Sequence, residues 1–113
     1  MLHSWAAVLK PENEVAHFNL SLAYHQQGQY GLAIAYARYA STLEPQNPHP
    51  LLALAIAQWQ QGERSSGRDS YQAALALNPQ YGDRSYRSEL KRAGFLPSQI
   101  LLLDQLEGIS PEN

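Results

Sequence analysis

The sequence predicts an all-α protein built as a solenoid of helical hairpins. The first observation behind this prediction is that residues 14–47 repeat in residues 48–81, at an offset of 34 positions and with nine identities. The second is that apolar residues recur at helical spacing inside each unit, and the third is that Gly and Pro stand where helices should end. A fixed period of this length is typical of stacked helical units that share one continuous core.

The first of these units divides into two predicted helices. Phe18 and Leu22 lie four positions apart on one helical face, and Gly28 follows where a left-handed residue can end the helix. A second helix should cover about residues 30–44 and end before Pro45, whose ring cannot continue it. The unit is therefore expected to form a helical hairpin.

The second unit repeats this plan. Asn47 is placed to cap a helix that opens with Pro48, Gly62 is the break, and Pro79 is the stop. In the same frame, residues 1–13 correspond to the second helix of a unit whose first helix is missing, so they are predicted to be an N-terminal half-repeat helix.

The frame fails in residues 82–113, which are predicted to be a degenerate repeat that caps the solenoid. One helix is expected over 83–93, Gly94 should break it, and a second helix should cover 97–107. End units of solenoids are atypical because a regular one would expose the face meant for a neighbour. About seven helices are expected in all.

The repeated unit resembles the tetratricopeptide repeat, whose 34-residue helix-turn-helix pattern has fixed positions for aromatic, small and Pro residues. In the first unit the matching residues are His17, Leu20, Ser21, Tyr24, Ala33, Ala37 and Pro45. In the second they are Leu51, Leu54, Ala55, Gln58, Gly67, Tyr71 and Pro79. The second unit departs further from the pattern because Gln58 replaces Tyr and Gly67 replaces Ala.

The resemblance implies a right-handed superhelix with a concave groove that holds a partner protein or peptide, without catalysis. The inward-facing positions of the family define the groove, which in this chain is formed by Val15, Phe18, Leu22, His25, Gln26, His49, Leu52, Ile56, Trp59 and Gln60. Members with a carboxylate clamp have Lys and Asn where this chain has Phe18 and Leu22. No carboxylate clamp is therefore expected, and a chaperone C-terminus is not the expected ligand.

The groove segment is unusually poor in charge, since Arg38 and Glu44 are the only charged residues between Val15 and Gly62. Such a surface costs little to desolvate and favours a partner with apolar and hydrogen-bonding groups. The simpler interpretation is that the Gln, Tyr, His and Ser residues solvate helix faces. Trp59 is the best single candidate for an anchor.

Half of the eight basic residues fall in the capping segment. Arg84, Arg87 and Lys91 would share one face of a helix and are predicted to form a basic rim for an acidic stretch of the partner. The alternative is a solvated outer face offset by neighbouring carboxylates. Because the net charge is −2 and no recognition motif is present, no nucleic-acid partner is expected.

The sequence offers no enzyme motif. It has no Cys, its four His residues lack the spacing of metal ligands, and no phosphate loop or nucleophile elbow is visible. We therefore expect no catalytic residues, cofactor or metal. The longest apolar run, residues 51–57, is too short to cross a bilayer, and the N-terminal segment does not resemble a secretion signal, so a cytoplasmic protein without membrane insertion is expected.

Both ends of the chain predict further contacts. Trp5 gives residues 1–13 an apolar face with no obvious cover, and apolar residues surround nearly the whole of the last helix. Three explanations stay open: a piece of a longer repeat array, self-association, or a last helix that folds back into the groove. We predict that the isolated chain forms a homodimer or a larger homo-oligomer, and the alternative function is that of a self-associating structural or assembly module. Its expected contacts are Trp5, Leu101, Leu102 and Leu106.

Overall fold

The computed structural model describes residues 14–107, with side chains from Ala16 onward. Its α-helices are α1 (Glu14–Gln26), α2 (Tyr30–Leu43), α3 (Pro48–Gln61), α4 (Arg64–Leu77), α5 (Leu90–Ala93) and α6 (Pro97–Glu107). Two 3₁₀-helical turns, Pro79–Gly82 and Tyr86–Glu89, join α4 to α5. The described residues contain no strand, so the prediction of an all-α solenoid of hairpins is confirmed. The half-repeat helix predicted for residues 1–13 lies outside the described residues.

Glycine ends the first helix of each hairpin, as the sequence predicts. Gly28 has φ +79° and Gly62 has φ +96°, values that side chains with a Cβ rarely adopt. After the second turn, the Glu63 amide donates to the Gln58 carbonyl at 2.9 Å and so satisfies the end of α3. At the other end of α3 the Asn47 side chain accepts from the His49 amide at 3.0 Å, which is the predicted cap.

The four long helices pack in chain order as two antiparallel pairs, α1 on α2 and α3 on α4, with α2 against α3 between them. Small residues without exposed surface lie where the helices cross: Ser21, Ala33, Ala37, Ala40, Ala55 and Ala74. The Ser21 hydroxyl donates to the Ala33 carbonyl at 2.8 Å and ties α1 to α2. Because these side chains are short, neighbouring helix axes can approach closely.

The packing of the second hairpin explains why Gly67 and Gln58 depart from the repeat pattern. A Cβ at Gly67 would lie 3.0 Å from the Ala55 carbonyl oxygen and 3.2 Å from the Trp59 amide nitrogen, so α4 crosses α3 too closely for a side chain. The buried Gln58 amide lies 2.6 Å from the Ser70 hydroxyl, and α4 thus supplies a polar partner where the pattern has Tyr.

The helix predicted over 83–93 is observed in part: it begins at Tyr86 as a 3₁₀ helix, Tyr86–Glu89, and continues directly into the α-helical turn Leu90–Ala93. Asp83 accepts hydrogen bonds from the amide and the hydroxyl of Ser85 at 3.0 and 2.9 Å, and this turn redirects the chain into the 3₁₀ segment. Only Leu90–Ala93 is α-helical, and it ends at Gly94, whose φ is +109°. The last predicted helix, 97–107, is observed with those bounds.

Helix α6 does not extend the solenoid beyond α4. It folds back across the repeats, packs against α3 and α4, and reaches α1 through a hydrogen bond from Gln99 to the Leu22 carbonyl. Of the three explanations for an apolar last helix, the described residues therefore show the one in which it lies in the groove.

Candidate partner-binding groove

Most of the apolar residues predicted to line a groove are buried in the core of the chain itself. Phe18 and Leu22 of α1 are buried, and so are Leu52, Ile56 and Trp59 of α3, with Leu52 and Ile56 having no exposed surface. The side chain of Val15 lies outside the described part of the structure. The structure thus brings the apolar groove residues together in one core, under a cover that the chain supplies.

The cover is residues 94–107, called here the resident segment. Its first contact is aromatic, since the rings of Phe95 and Phe18 lie 5.5 Å apart between centroids. Near its other end the Trp59 indole N–H donates to the Gln105 side-chain oxygen at 3.0 Å. The resident segment therefore crosses the groove from α1 to α3, along the axis on which the hairpins stack.

A buried amide fixes the resident segment in register. The Gln99 side-chain nitrogen lies 3.1 Å from the Leu22 carbonyl oxygen and 3.1 Å from Nδ1 of His25, while its oxygen accepts from the Leu96 amide at 2.8 Å. Burial lowers the pKa of His25, which a backbone hydrogen bond with Ile56 opposes more weakly. The imidazole is therefore held neutral, with Nδ1 as the acceptor of the amide proton.

Arg87 is a buried residue and not part of a basic rim, so this prediction is corrected. Its guanidinium has no exposed surface and donates to the Tyr81 carbonyl at 2.8 Å, to the Tyr71 hydroxyl at 2.5 Å and to Glu107 at 2.6 Å. It also pairs with Asp104. Burial disfavours its charged form, but the hydrogen bond to Glu107 and the nearby charges outweigh this, and the pKa of Arg87 is raised.

The other two residues of the predicted rim are exposed. Arg84 leaves 76% of its side chain in solvent and approaches Asp104 at 3.4 Å, and Lys91 lies on the surface of α5. Arg84 and Arg87 both reach Asp104, but Arg87 is buried, so the three basic side chains do not form one exposed rim. The resident segment, through Asp104 and Glu107, supplies the carboxylates that neutralise Arg87.

Two clefts beside the predicted groove residues, called here the flanking clefts, are open to solvent, and the second of them is lined in part by the resident segment. The first, of about 400 Å³, lies between the repeat residues Phe18 and His49 and the capping residues Tyr81 and Tyr86. The His49 Nε2 atom lies 2.9 Å from the Tyr81 hydroxyl, and burial lowers the pKa of this imidazole. A larger cleft of about 470 Å³ lies outside the groove, between α4 and the end of α6.

The second cleft beside the resident segment has a volume of about 250 Å³ and includes Gln26 and Gln60 on the groove side, with Leu102 opposite. Both glutamines are exposed. Of the groove residues with described side chains, these two and the half-buried His49 are therefore the ones that solvent reaches most directly.

Comparison with protein-family models matches residues 24–91, more than half of the chain, to the tetratricopeptide repeat. The chain belongs to the tetratricopeptide-repeat family. The match runs from the end of α1 into α5 and contains the whole second hairpin. Tetratricopeptide repeats generally mediate protein–protein interactions. A search of curated proteins finds no match to this sequence.

Several residues that bind the resident segment to these tetratricopeptide repeats were not predicted from the sequence: Phe95, Gln99, Asp104, Gln105 and Glu107. The signal that could have identified them is the amphipathic pattern of the segment itself, in which single polar residues interrupt a mostly apolar helix. A glutamine or an acidic residue in such a position requires a buried polar partner.

The residues predicted for self-association have different environments in this tetratricopeptide-repeat chain. Leu101 leaves 62% of its surface exposed, Leu102 is half-buried, and Leu106 is buried against α4. Trp5 lies outside the described residues. Leu106 thus belongs to the intramolecular contact, and Leu101 is the predicted residue that projects furthest into solvent.

Residues 14–107 of the tetratricopeptide-repeat chain contain no group of three or more His, Asp or Glu side chains placed to hold a metal ion. Within that same range, no helix has both the length and the apolar character needed to span a bilayer.

Proposed function

We propose that the chain is a non-catalytic, cytoplasmic interaction scaffold that binds a partner protein or peptide in the concave groove. The observation that supports this proposal is that the groove already holds a helix, the resident segment, by apolar and hydrogen-bonded contacts. A surface that buries a helix of its own chain has the shape and chemistry to bury a similar one from another molecule.

The chemistry of the groove is apolar and amide-rich. Phe18 and Leu22 stand where a clamp for a terminal carboxylate has Lys and Asn, so the partner should bind through side chains and not through a free C-terminus. Trp59 joins apolar area to an indole donor, a combination that is common among residues that dominate interface affinity. A negative net charge gives no support to a nucleic-acid partner.

Access is the constraint on this proposal, because the resident segment covers the apolar residues. A partner can enter through the flanking clefts, where His49, Gln26 and Gln60 contact solvent, or it can displace the resident segment. Both routes end at the same groove residues.

The proposal is tested by capturing partners on the immobilised full chain, identifying them, and titrating the purified partner. We expect Trp59→Ala to weaken its binding by about 2 kcal/mol. Gln60→Glu is the second variant, since Gln60 is exposed and its change does not disturb the core. Tyr39→Ala, on the exposed side of α2, is the matched control and should leave affinity unchanged. Equal affinity for all three variants would contradict binding in the groove.

A second candidate function, a self-associating assembly module, is supported by the exposure of Leu101 on α6. A contact between copies would remove this apolar side chain from water, which is favourable. Light scattering on the full chain at high micromolar concentration tests this function. An oligomer that Leu101→Glu converts to a monomer would support it, and a monomeric mass for the unchanged chain would contradict it.

A further inference from the structure

We propose that the partner for which the groove is specific is an amphipathic helix that reproduces the pattern of the resident segment. The pattern is an aromatic residue, a glutamine four positions later, leucines eight and eleven positions later, and carboxylates at nine and twelve. In this chain those positions are Phe95, Gln99, Leu103, Leu106, Asp104 and Glu107. The inference rests on the proposed function and defines the class of partner.

The apolar positions of the pattern follow from the burial of the resident segment. The Phe95 ring contacts the Phe18 ring at an interplanar angle of 56°, and Leu103 has no exposed surface. Leu106 is buried and fits the space beside Gly67, where a Cβ would lie 3.5 Å from the leucine methyl carbon. Leu103 and Leu106 lie three positions apart on one face of α6, and Phe95 precedes the helix by two residues. A partner must therefore be apolar on that helical face and carry its aromatic residue just before the helix. Leu101 of the same helix is exposed and is not part of the pattern.

The glutamine is required because its amide meets two acceptors inside the groove. The side-chain nitrogen of Gln99 donates to the Leu22 carbonyl and to Nδ1 of His25. Burial lowers the pKa of His25 and so favours its neutral form. An apolar residue in its place would leave a buried imidazole nitrogen without a donor, which costs more than the hydrogen bond itself contributes. The groove therefore discriminates in favour of glutamine at this position.

The two carboxylates are required because Arg87 is a buried cation. Its guanidinium has no exposed surface, and the charges that neutralise it come from Asp104 and Glu107 of the resident segment. Negative side chains near a helix C-terminus are unfavourable for the helix itself, so their position is explained by the cation they meet. A partner without them would leave Arg87 buried and uncompensated, which is strongly destabilising.

A partner helix could replace the resident segment because part of that segment is exposed to solvent. The side chains of Asp104 and Glu107 are 23% and 48% exposed, so the ion pairs lie at an edge that water reaches. A cleft of about 250 Å³ lies between the resident segment, at Gln99 and Leu102, and the exposed groove residues Gln26 and Gln60. An incoming helix can therefore contact the groove before the resident segment has left it.

The test uses a labelled peptide of residues 94–107, GFLPSQILLLDQLE, and measures its binding to the full chain by fluorescence anisotropy. The Gln99→Ala chain has a weakened resident segment, so we expect the unchanged peptide to bind it about ten-fold more tightly than the unchanged chain. The same Gln99→Ala substitution in the peptide should weaken binding to that variant chain by about ten-fold. Gln99→Ala should therefore strengthen peptide binding when it is made in the chain and weaken it when it is made in the peptide. That pair of results would show that the peptide and the resident segment compete for one site.

Two further peptides examine the pattern. The peptide with both Asp104→Asn and Glu107→Gln should bind about ten-fold more weakly, because it leaves Arg87 uncompensated. The peptide with Leu101→Ala is the matched control and should bind as the unchanged peptide does. Hydrogen exchange on the unchanged chain gives an independent measurement, since excess peptide should accelerate exchange in residues 97–107 without accelerating it in α1–α4.

The inference is overturned if the peptide binds neither chain, or if the control and the altered peptides bind equally. It is also overturned by a dimer of the Gln99→Ala chain that the peptide does not dissociate, because a second copy would then fill the groove. If binding of a captured partner is weakened by Trp59→Ala but the chain does not bind the peptide, the scaffold function stands and the helix pattern is refuted. If no partner depends on the groove and the peptide also fails, both proposals are refuted.

Discussion

The guanidinium of Arg87 lies 2.6 Å from the carboxylate of Glu107, twenty positions later in the chain. Arg87 is on a 3₁₀ turn, Glu107 is the last residue of α6, and the arginine also donates to Tyr71 of α4. One buried cation thus joins the capping turns, the last helix and the second hairpin. The end of the molecule is thereby a single cooperative unit with the repeats.

Arg87→Gln is expected to lower the free energy of unfolding by about 3 kcal/mol, because the hydrogen bonds from the buried guanidinium to Tyr81, Tyr71 and Glu107 are lost. Arg84→Gln is the matched control, because Arg84 is 76% exposed and reaches the same Asp104 at 3.4 Å. Its effect should stay within about 0.5 kcal/mol. Urea unfolding monitored by circular dichroism measures both, and equal midpoints for the two variants would contradict the role assigned to Arg87.

Gly67→Ala is expected to destabilise the fold by about 1 kcal/mol even though Ala favours a helix. The new methyl group would lie 3.0 Å from the Ala55 carbonyl oxygen, and this backbone atom cannot move without separating α3 from α4. Gly31→Ala tests the opposite case, because a Cβ there meets nothing closer than 4.0 Å. That variant should be more stable by about 0.5 kcal/mol. Thermal or urea unfolding measures the stability of both variants. If Gly67→Ala and Gly31→Ala both increased stability, the close crossing of α3 and α4 would be disproved.

Stability is expected to fall as the pH drops below about 6.5. Burial lowers the pKa of His25 and of His49 below the 6.5 of a free imidazole, so the unfolded chain binds protons there before the folded chain does. The free energy of unfolding therefore has its full value above 6.5 and declines as the pH falls towards the folded pKa values. The pKa of Asp83 is lowered by the hydrogen bonds of Ser85, and its effect belongs below 3.8.

Urea midpoints at about pH 7.5 and about pH 5.5 measure this dependence. A double variant with His25→Asn and His49→Gln should show a smaller difference between the two conditions than the unchanged chain. A higher midpoint for the unchanged chain at the lower pH would contradict the assignment.

Ser21→Ala is expected to cost about 1 kcal/mol, because the buried hydroxyl donates to the Ala33 carbonyl at 2.8 Å between α1 and α2. Ser65 is exposed on α4, and Ser65→Ala should change stability by less than about 0.5 kcal/mol. Denaturant unfolding of the two variants side by side provides the comparison. If the two midpoints match, the contact between the helices does not contribute to stability.

The hairpins could be predicted from the sequence because their signals are local. Gly28 and Gly62 end helices where the left-handed conformation is needed, and Asn47 and Pro48 open α3 as expected. Each of these residues affects the backbone within one helical turn of its own position. Because the unit of 34 residues occurs twice, such local signals can be compared between the two units.

The cover over the groove could not be predicted in the same way. Gln99 bonds to the Leu22 carbonyl across 77 positions, and no periodicity reports a contact of that separation. The position of Arg87 was missed because a helical-face argument requires a continuous helix. The turn that Asp83 and Ser85 form breaks that helix and directs the guanidinium into the core.

Gln99 and Leu22 are 77 positions apart in the sequence, so Leu22 is synthesised well before the residue that covers it. Domains fold from the N-terminus as they leave the ribosome, so α1–α4 are synthesised, and can pack, before α6 exists. During that interval the nascent chain displays the hydrophobic surface that the completed molecule covers. The pace of translation can thus decide whether a foreign helix arrives before the chain's own.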